Sequence, residues 1–217
     1  DIGGSLGLSD ENLCSAEAAA LLHDVGRFEQ YSRYGTFLDA RSEDHASLGV
    51  KVIEEHRVLA DLDPDAAHLL MQAVAHHNRA VLPVGLGERC LFFLRLLRDA
   101  DKVDIWRVVT DYYRDAGGHR NPALELDLPD RDRISDRVFD SLMRGELVRV
   151  SDLETLSDFK LLQMGWVYDI HFPRTFRMVR ERGYLEAIRR ALPQDSRRVA
   201  EVYARARAHL ERGSQAA

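Results

Sequence analysis

Apolar residues recur along almost the whole of this chain at intervals of three and four, and almost nowhere at intervals of two. That period matches the 3.6-residue turn of an α-helix and not the alternation of a half-buried strand. The chain is therefore expected to be all-α. Helices are expected at about 10–25, 43–60, 64–78 and 88–113, then at 135–143, 152–164, 173–182, 184–191 and 195–212. Ser9 or Asp10 caps the first, and Asp63-Pro64 opens the third with a cap and a proline at N1. Residues 29–41, with Gly35 and the rings of Tyr31, Tyr34 and Phe37, read as an irregular loop. Residues 81–87 and the polar stretch 114–134 read as loops too, and the tail 213–217 should fray. Residues 1–113 form one expected unit, and 114–217 a helical extension packed on the same core.

Within that pattern, Ala16–Leu22 is a run of strong helix formers that ends in His23-Asp24-Val25-Gly26-Arg27. Gly26 is expected at C′, in the left-handed conformation that stops a helix. Stepping back from His23 by helical turns gives Ala20, Ala19 and Ala16, so His23 faces packed protein. A charged Asp24 beside it is costly unless something positive answers it, and the carbonyl end of a helix itself favours a cation. A metal ion meets these demands; a hydrogen-bonded core pair would also explain an isolated His-Asp dipeptide. The other helices weigh on the choice. Asp101 shares a stripe with Leu94, Leu97, Ile105 and Val108, where it needs a metal or a salt bridge to Arg27 or Arg98. His77 lies with Leu70, Ala73 and Val74, and His76 flanks that face. His45 lies with Leu48, Gly49 and Val52, and Gly49 lets a neighbouring element come close. Four successive helices thus each offer His or Asp from an apolar face. His56 reads as core or as support for the site, whereas His68, His119, His171 and His209 read as surface. The aromatic stretch of Trp166, Tyr168, Phe172 and Phe176, with Asp169, reads as core or a pocket wall.

The ordered set resembles the HD-domain superfamily of metal-dependent phosphohydrolases. The matching segments are Leu-Leu-His23-Asp24-Val-Gly-Arg27, Asp-His45-Ala-Ser-Leu-Gly, His76-His77 and Arg-Asp-Ala-Asp101-Lys102, spread over about residues 10–110. The additional His45 and His76-His77 resemble the branch that binds two metals, which includes cyclic-dinucleotide phosphodiesterases and diiron oxygenases. Three features depart from it, one being Arg27 where that branch usually has Lys. A Gly-Tyr-Pro signature does not follow the double histidine, where the chain reads Asn78-Arg79-Ala80-Val81-Leu82-Pro83, and this weighs against a cyclic dinucleotide. The family's first histidine precedes the HD pair, and none precedes His23 here; the resemblance implies that it lies upstream of Asp1.

The resemblance implies an HD-domain helical bundle with additional C-terminal helices. It implies one or two divalent ions (Fe, Mn, Ni, Zn or Mg) held by His23, Asp24, His45, His76, His77 and Asp101. It implies hydrolysis of a small phosphorylated metabolite or nucleotide by metal-activated water. Asp24, Arg27 and Lys102 are the expected catalytic residues, and Arg27, Asn78, Arg79 and Lys102 the expected substrate contacts. A diiron oxygenase and a non-catalytic metal- or ligand-binding regulator are the alternatives on the same scaffold. Composition is consistent with this. A net charge of −6 disfavours a nucleic-acid polymer as partner, and no apolar run is long enough to span a bilayer. Two cysteines without CxxC spacing argue against a disulfide scaffold and suit a reducing cytoplasm. A homodimer is compatible with the sequence.

Overall fold

The computed structural model describes residues 1–115 and 121–215, of which the side chains of residues 122 and 123 are left aside. Every element among the described residues is helical, as the periodicity predicts. The chain divides into two compact units, Asp1–Asp101 and Lys102–Ala217. The division falls inside a long helix rather than near residue 113, because the helical pattern continues unbroken through Asp101-Lys102 and carries no signal of a change of unit.

The first unit opens with a short helix, α1 (Ile2–Ser5), and then α2 (Asp10–Leu22), capped by Ser9 as expected. The chain does not leave helix for a loop at this point. His23, Asp24 and Val25 make one tight turn, and α3 (Gly26–Tyr34) begins at once. The expected αL role of Gly26 belongs instead to Gly35, which closes α3 at φ 64°. Gly26 serves a different need: a Cβ there would lie 2.2 Å from the His45 carbonyl oxygen and 2.5 Å from the Gly49 nitrogen. The two glycines are the point where α3 crosses α4 (His45–Glu55), so the close approach expected at Gly49 is present. The loop expected at 29–41 thus shrinks to the stretch after Gly35, which holds a 3₁₀ turn at Asp39–Arg41.

Helix α4 is shorter than expected at both ends. Asp44 caps its start by accepting from the Ser47 N–H at 2.9 Å, and Arg57 at φ 53° follows its end. Asp63 caps α5 (Pro64–His76) through the N–H groups of Asp65 and Ala66, as its sequence predicts. Helix α6 runs from Glu88 to Asp115. Ala19, Leu69, Leu70, Ala73, Phe93 and Leu97 form a closed core of this unit, with Ala16, Ala18 and Phe92 against it. The stripe on α6 is buried at Leu94 and Leu97 and half-buried at Asp101; Val108, expected on the same apolar face, is exposed.

The second unit holds the rest of α6 with α7 (Pro122–Glu125), α8 (Asp136–Arg144), α9 (Leu156–Gly165), α10 (Pro173–Glu181), α11 (Tyr184–Arg190) and α12 (Arg197–Gln215). Helix α12 is its spine: α8, α9, α10 and α11 all pack on it, and its Val199, Val202, Ala206 and Leu210 are buried. Residues 213–215 belong to this helix and are not frayed, while Ala216 and Ala217 lie outside the described residues. Trp106 is fully buried and donates its indole N–H to the Gln163 carbonyl at 2.9 Å. Among the described residues no helix is long and apolar enough to cross a membrane.

Candidate metal centre

Three histidines each aim one nitrogen at Asp24. The Nε2 atoms of His45 and His77 lie 3.4 and 3.6 Å from Asp24 Oδ1, and that of His23 lies 3.7 Å from Oδ2. His23 Nε2 is also 3.6 Å from Asp101 Oδ1. The opposite nitrogen fixes each ring. His23 and His77 stand at the C-terminal caps of α2 and α5, where the last carbonyls have no helical partner. Their Nδ1 atoms take two of those carbonyls, Ala20 at 2.7 Å and Val74 at 2.8 Å. His45, the first residue of α4, places Nδ1 2.7 Å from Asp39 Oδ2. Carbonyls and carboxylates only accept, so Nδ1 is the donor in all three contacts. In the neutral ring Nε2 is then a bare lone pair, the form in which imidazole ligates a metal.

These residues fit a cation on an observation independent of any likeness. The Nε2 atoms of His45 and His77 face each other at 3.0 Å. Two lone pairs held that close repel unless a proton or a cation lies between them. The Nδ1 of His76 is buried with no hydrogen-bond partner, a cost that a ligand would remove. Charge points the same way. Burial works against an ionised Asp24, but its contact with His77 and the charges of His23 and Arg27 hold its carboxyl well below the usual carboxylate range. Burial also works against a charged His23, yet the hydrogen bond and charge of Asp101, with the charge of Asp24, push its pKa up to about 9. The metal-free site therefore keeps a proton on His23 where a metal would compete for the same nitrogen. Donor atoms of His23, Asp24 and His77 lie within 4.8 Å of one another, as do those of Asp39, Asp44 and His45. Mixed nitrogen and oxygen donors accept several divalent metals and do not select one.

A family model described as HD domain matches residues 1–106. Residues 1–106 are an HD domain. No curated protein and no solved structure matches the chain. HD domains are mostly metal-dependent phosphohydrolases, and the domain implies binding of a divalent metal.

The HD domain brings together five of the six expected ligands: His23, Asp24, His45, His77 and Asp101. His76 ends α5 half-buried and is not among the donors gathered within 4.8 Å; burial and the charge of Arg79 push its pKa down. The salt-bridge alternative for Asp101 is not realised with Arg27 or Arg98 as its partner. Arg27 lies 3.5 Å from Asp24 and 3.2 Å from Asp39, and Arg98 donates to the backbone carbonyls of His77 and Arg79. Asn78 donates to Asp44 at 2.6 Å. That bond and those from Ser47 outweigh burial and take the Asp44 pKa down to about 2. Lys102 lies in the second unit, where it is buried and paired with Asp169 at 2.6 Å. His56 and His68 are exposed, His171 and His209 are half-buried rather than on the surface, and His119 lies outside the described residues. Tyr168 and Phe176 both pack their rings on His209.

Sequence reasoning missed Asp39 and Gln30. Both lie in the stretch read as an irregular loop, and no apolar periodicity marks them. The fully buried Gln30 donates to Asp39 Oδ1 at 2.8 Å, Ser42 Oγ at 2.9 Å and the Glu43 carbonyl at 2.9 Å. The spacing of Arg27 and Gln30 on one helix, with an acid beyond a glycine, was the available signal.

Proposed function

We propose that the HD domain hydrolyses a phosphoester of a small metabolite or nucleotide with the help of one or two divalent ions. The observation that carries this reading is the convergence of three histidine Nε2 atoms on a single carboxylate. His23, Asp24 and Asp101 would hold one ion, and Asp24 with His45 and His77, joined by His76, a second. A bound divalent ion supplies Lewis-acid polarisation of phosphoester oxygens and a lowered pKa for water.

The chain's own residues do the rest. The Ala20 and Val74 carbonyls and the Asp39 carboxylate hold the three rings in the ligating tautomer, so the donors need not reorganise on binding. Arg27 fixes Asp24 from the side, which stops the carboxylate from turning away from the histidines. The Asp24 side chain is 47% exposed, so the cluster opens to solvent on that side and a substrate can reach it. The exposed Arg79, whose charge acts on His76, supports a phosphate contact. Lys102 is not carried into this reading, because its ammonium is already answered by Asp169.

The test loads metal-free protein in turn with Mn²⁺, Mg²⁺, Zn²⁺, Ni²⁺ and Fe²⁺ and follows phosphate release from a panel of aryl, sugar and nucleoside phosphates. Release that requires metal and is lost in Asp24→Ala supports the reading. Oxygen uptake by the iron form without phosphate release would replace it with an oxygenase, and tight metal binding with neither would leave a binding module.

A further inference from the structure

Asp39 stands at the junction of three contacts. Its Oδ2 takes the Nδ1–H of His45 at 2.7 Å, and its Oδ1 takes Gln30 Nε2 at 2.8 Å and Arg27 Nη1 at 3.2 Å. Arg27 Nη1 also donates to Gln30 Oε1 at 3.1 Å and to the Phe37 carbonyl at 2.6 Å, while its Nε faces Asp24 at 3.5 Å. Arg27 and Gln30 lie on one turn of α3 and pull the 37–43 stretch onto the helix. That stretch then presents a carboxylate to the back of His45.

We propose that Asp39 is a positioning residue: it locks His45 in the tautomer with a bare Nε2, and through Arg27 it holds Asp24 and His45 in one frame. The proposal rests on the reading of the cluster as a metal centre. The gathering of Asp39, Asp44 and His45 donors also admits Asp39 as a ligand itself, but a nitrogen that donates its proton to Asp39 cannot bind a metal at the same time. Asp39→Asn separates the possibilities. An amide has one oxygen where the carboxylate has two. Arg27 and Gln30 together outcompete His45 for it, and the NH₂ group then faces His45 Nδ1. That arrangement forces the proton onto Nε2 and blocks the ligand.

The experiment records long-range ¹H–¹⁵N spectra of metal-free protein at pH 8, and Zn²⁺ affinity and content by chelator competition and elemental analysis. In the wild type His45 should carry its proton on Nδ1. In Asp39→Asn it should move to Nε2, with Zn²⁺ bound about 10- to 100-fold more weakly and the number of ions at saturation unchanged. Asp39→Glu should restore the tautomer and most of the affinity. One ion fewer per chain in Asp39→Asn would make Asp39 a ligand and overturn the proposal. An unaltered tautomer with affinity within about 3-fold, a change of only ~0.6 kcal/mol, would reduce it to a loop tether. If Asp39→Asn does not fold, the wild-type spectrum still decides, because a proton on Nε2 there refutes the assignment. Wild type that takes up no Zn²⁺ would sink the metal centre, and the tautomer would then report on Asp39 alone.

Discussion

Two aspartates, one in each unit, show what separates a carboxylate saturated with donors from one that is not. Asp158 is fully buried at the start of α9. Its oxygens accept from the Ser135 N–H at 2.8 Å, the Ser135 hydroxyl at 2.6 Å, the Glu154 N–H at 3.0 Å and the Thr155 N–H at 3.1 Å. Every partner is an obligate or ready donor at hydrogen-bonding distance, so the charge is spent. Asp24 is half-exposed, and histidine nitrogens surround it at 3.4–3.7 Å, longer than hydrogen bonds. In the neutral rings of His45 and His77 the proton sits on Nδ1, which leaves Nε2 as a lone pair. Asp158 closes a helix start, while Asp24 leaves electron pairs aimed at one place.

The contrast breaks most directly at Asp24. Asp24→Ala should weaken Zn²⁺ or Mn²⁺ binding more than ~100-fold, measured by chelator competition. Binding that survives would show that the histidines alone make the site. Gly26→Ala comes next. Its methyl would collide with the backbone of His45 and Gly49, which cannot rotate away, so denaturant unfolding should show a loss of about 3 kcal/mol together with weaker metal binding. Asp158→Ala is the reverse case. Four donors lose their acceptor, and stability should fall by about 2–3 kcal/mol while the folded protein keeps its metal content.

The smallest expected effect is one of pH. His23 is raised from 6.5 to about 9 in the metal-free protein. Its charged form therefore stabilises the fold fully below pH 6.5, and that contribution fades as pH rises through 9. Metal-free wild type should lose stability between pH 7 and 9.5, and His23→Gln should lose less over the same interval. For the same reason, metal added at pH 7.5 should release about one proton per chain, read in weak buffer with an indicator. Equal pH slopes in the two proteins would remove the charged His23 from the account.

Much of the fold could be read from the sequence, because helices are local. Asp63-Pro64, Ser9 and the stripe around Leu94 and Leu97 each carry their own signal within a few residues. The boundary that failed at Gly26 involves contacts between residues distant in sequence. Gly26 has the profile of a helix stop, yet it is kept small by the backbone of His45 and Gly49. The site divides in the same way. Histidines on apolar faces announced the candidate donors; Asp39 left only the spacing of Arg27 and Gln30 as a trace, because its contact with His45 is made beyond Gly35. Lys102 shows the limit of adjacency, since it follows Asp101 in sequence and its ammonium pairs with Asp169.

The sequence by itself determined that the chain is helical, that four successive helices offer His or Asp, and that these belong to an HD domain, because periodicity and residue type are properties of short segments. Only the tertiary structure decided which nitrogen each histidine presents. That choice depends on a carbonyl at Ala20, a carbonyl at Val74 and a carboxylate at Asp39, and a ring takes its tautomer from whatever acceptor the fold sets behind it.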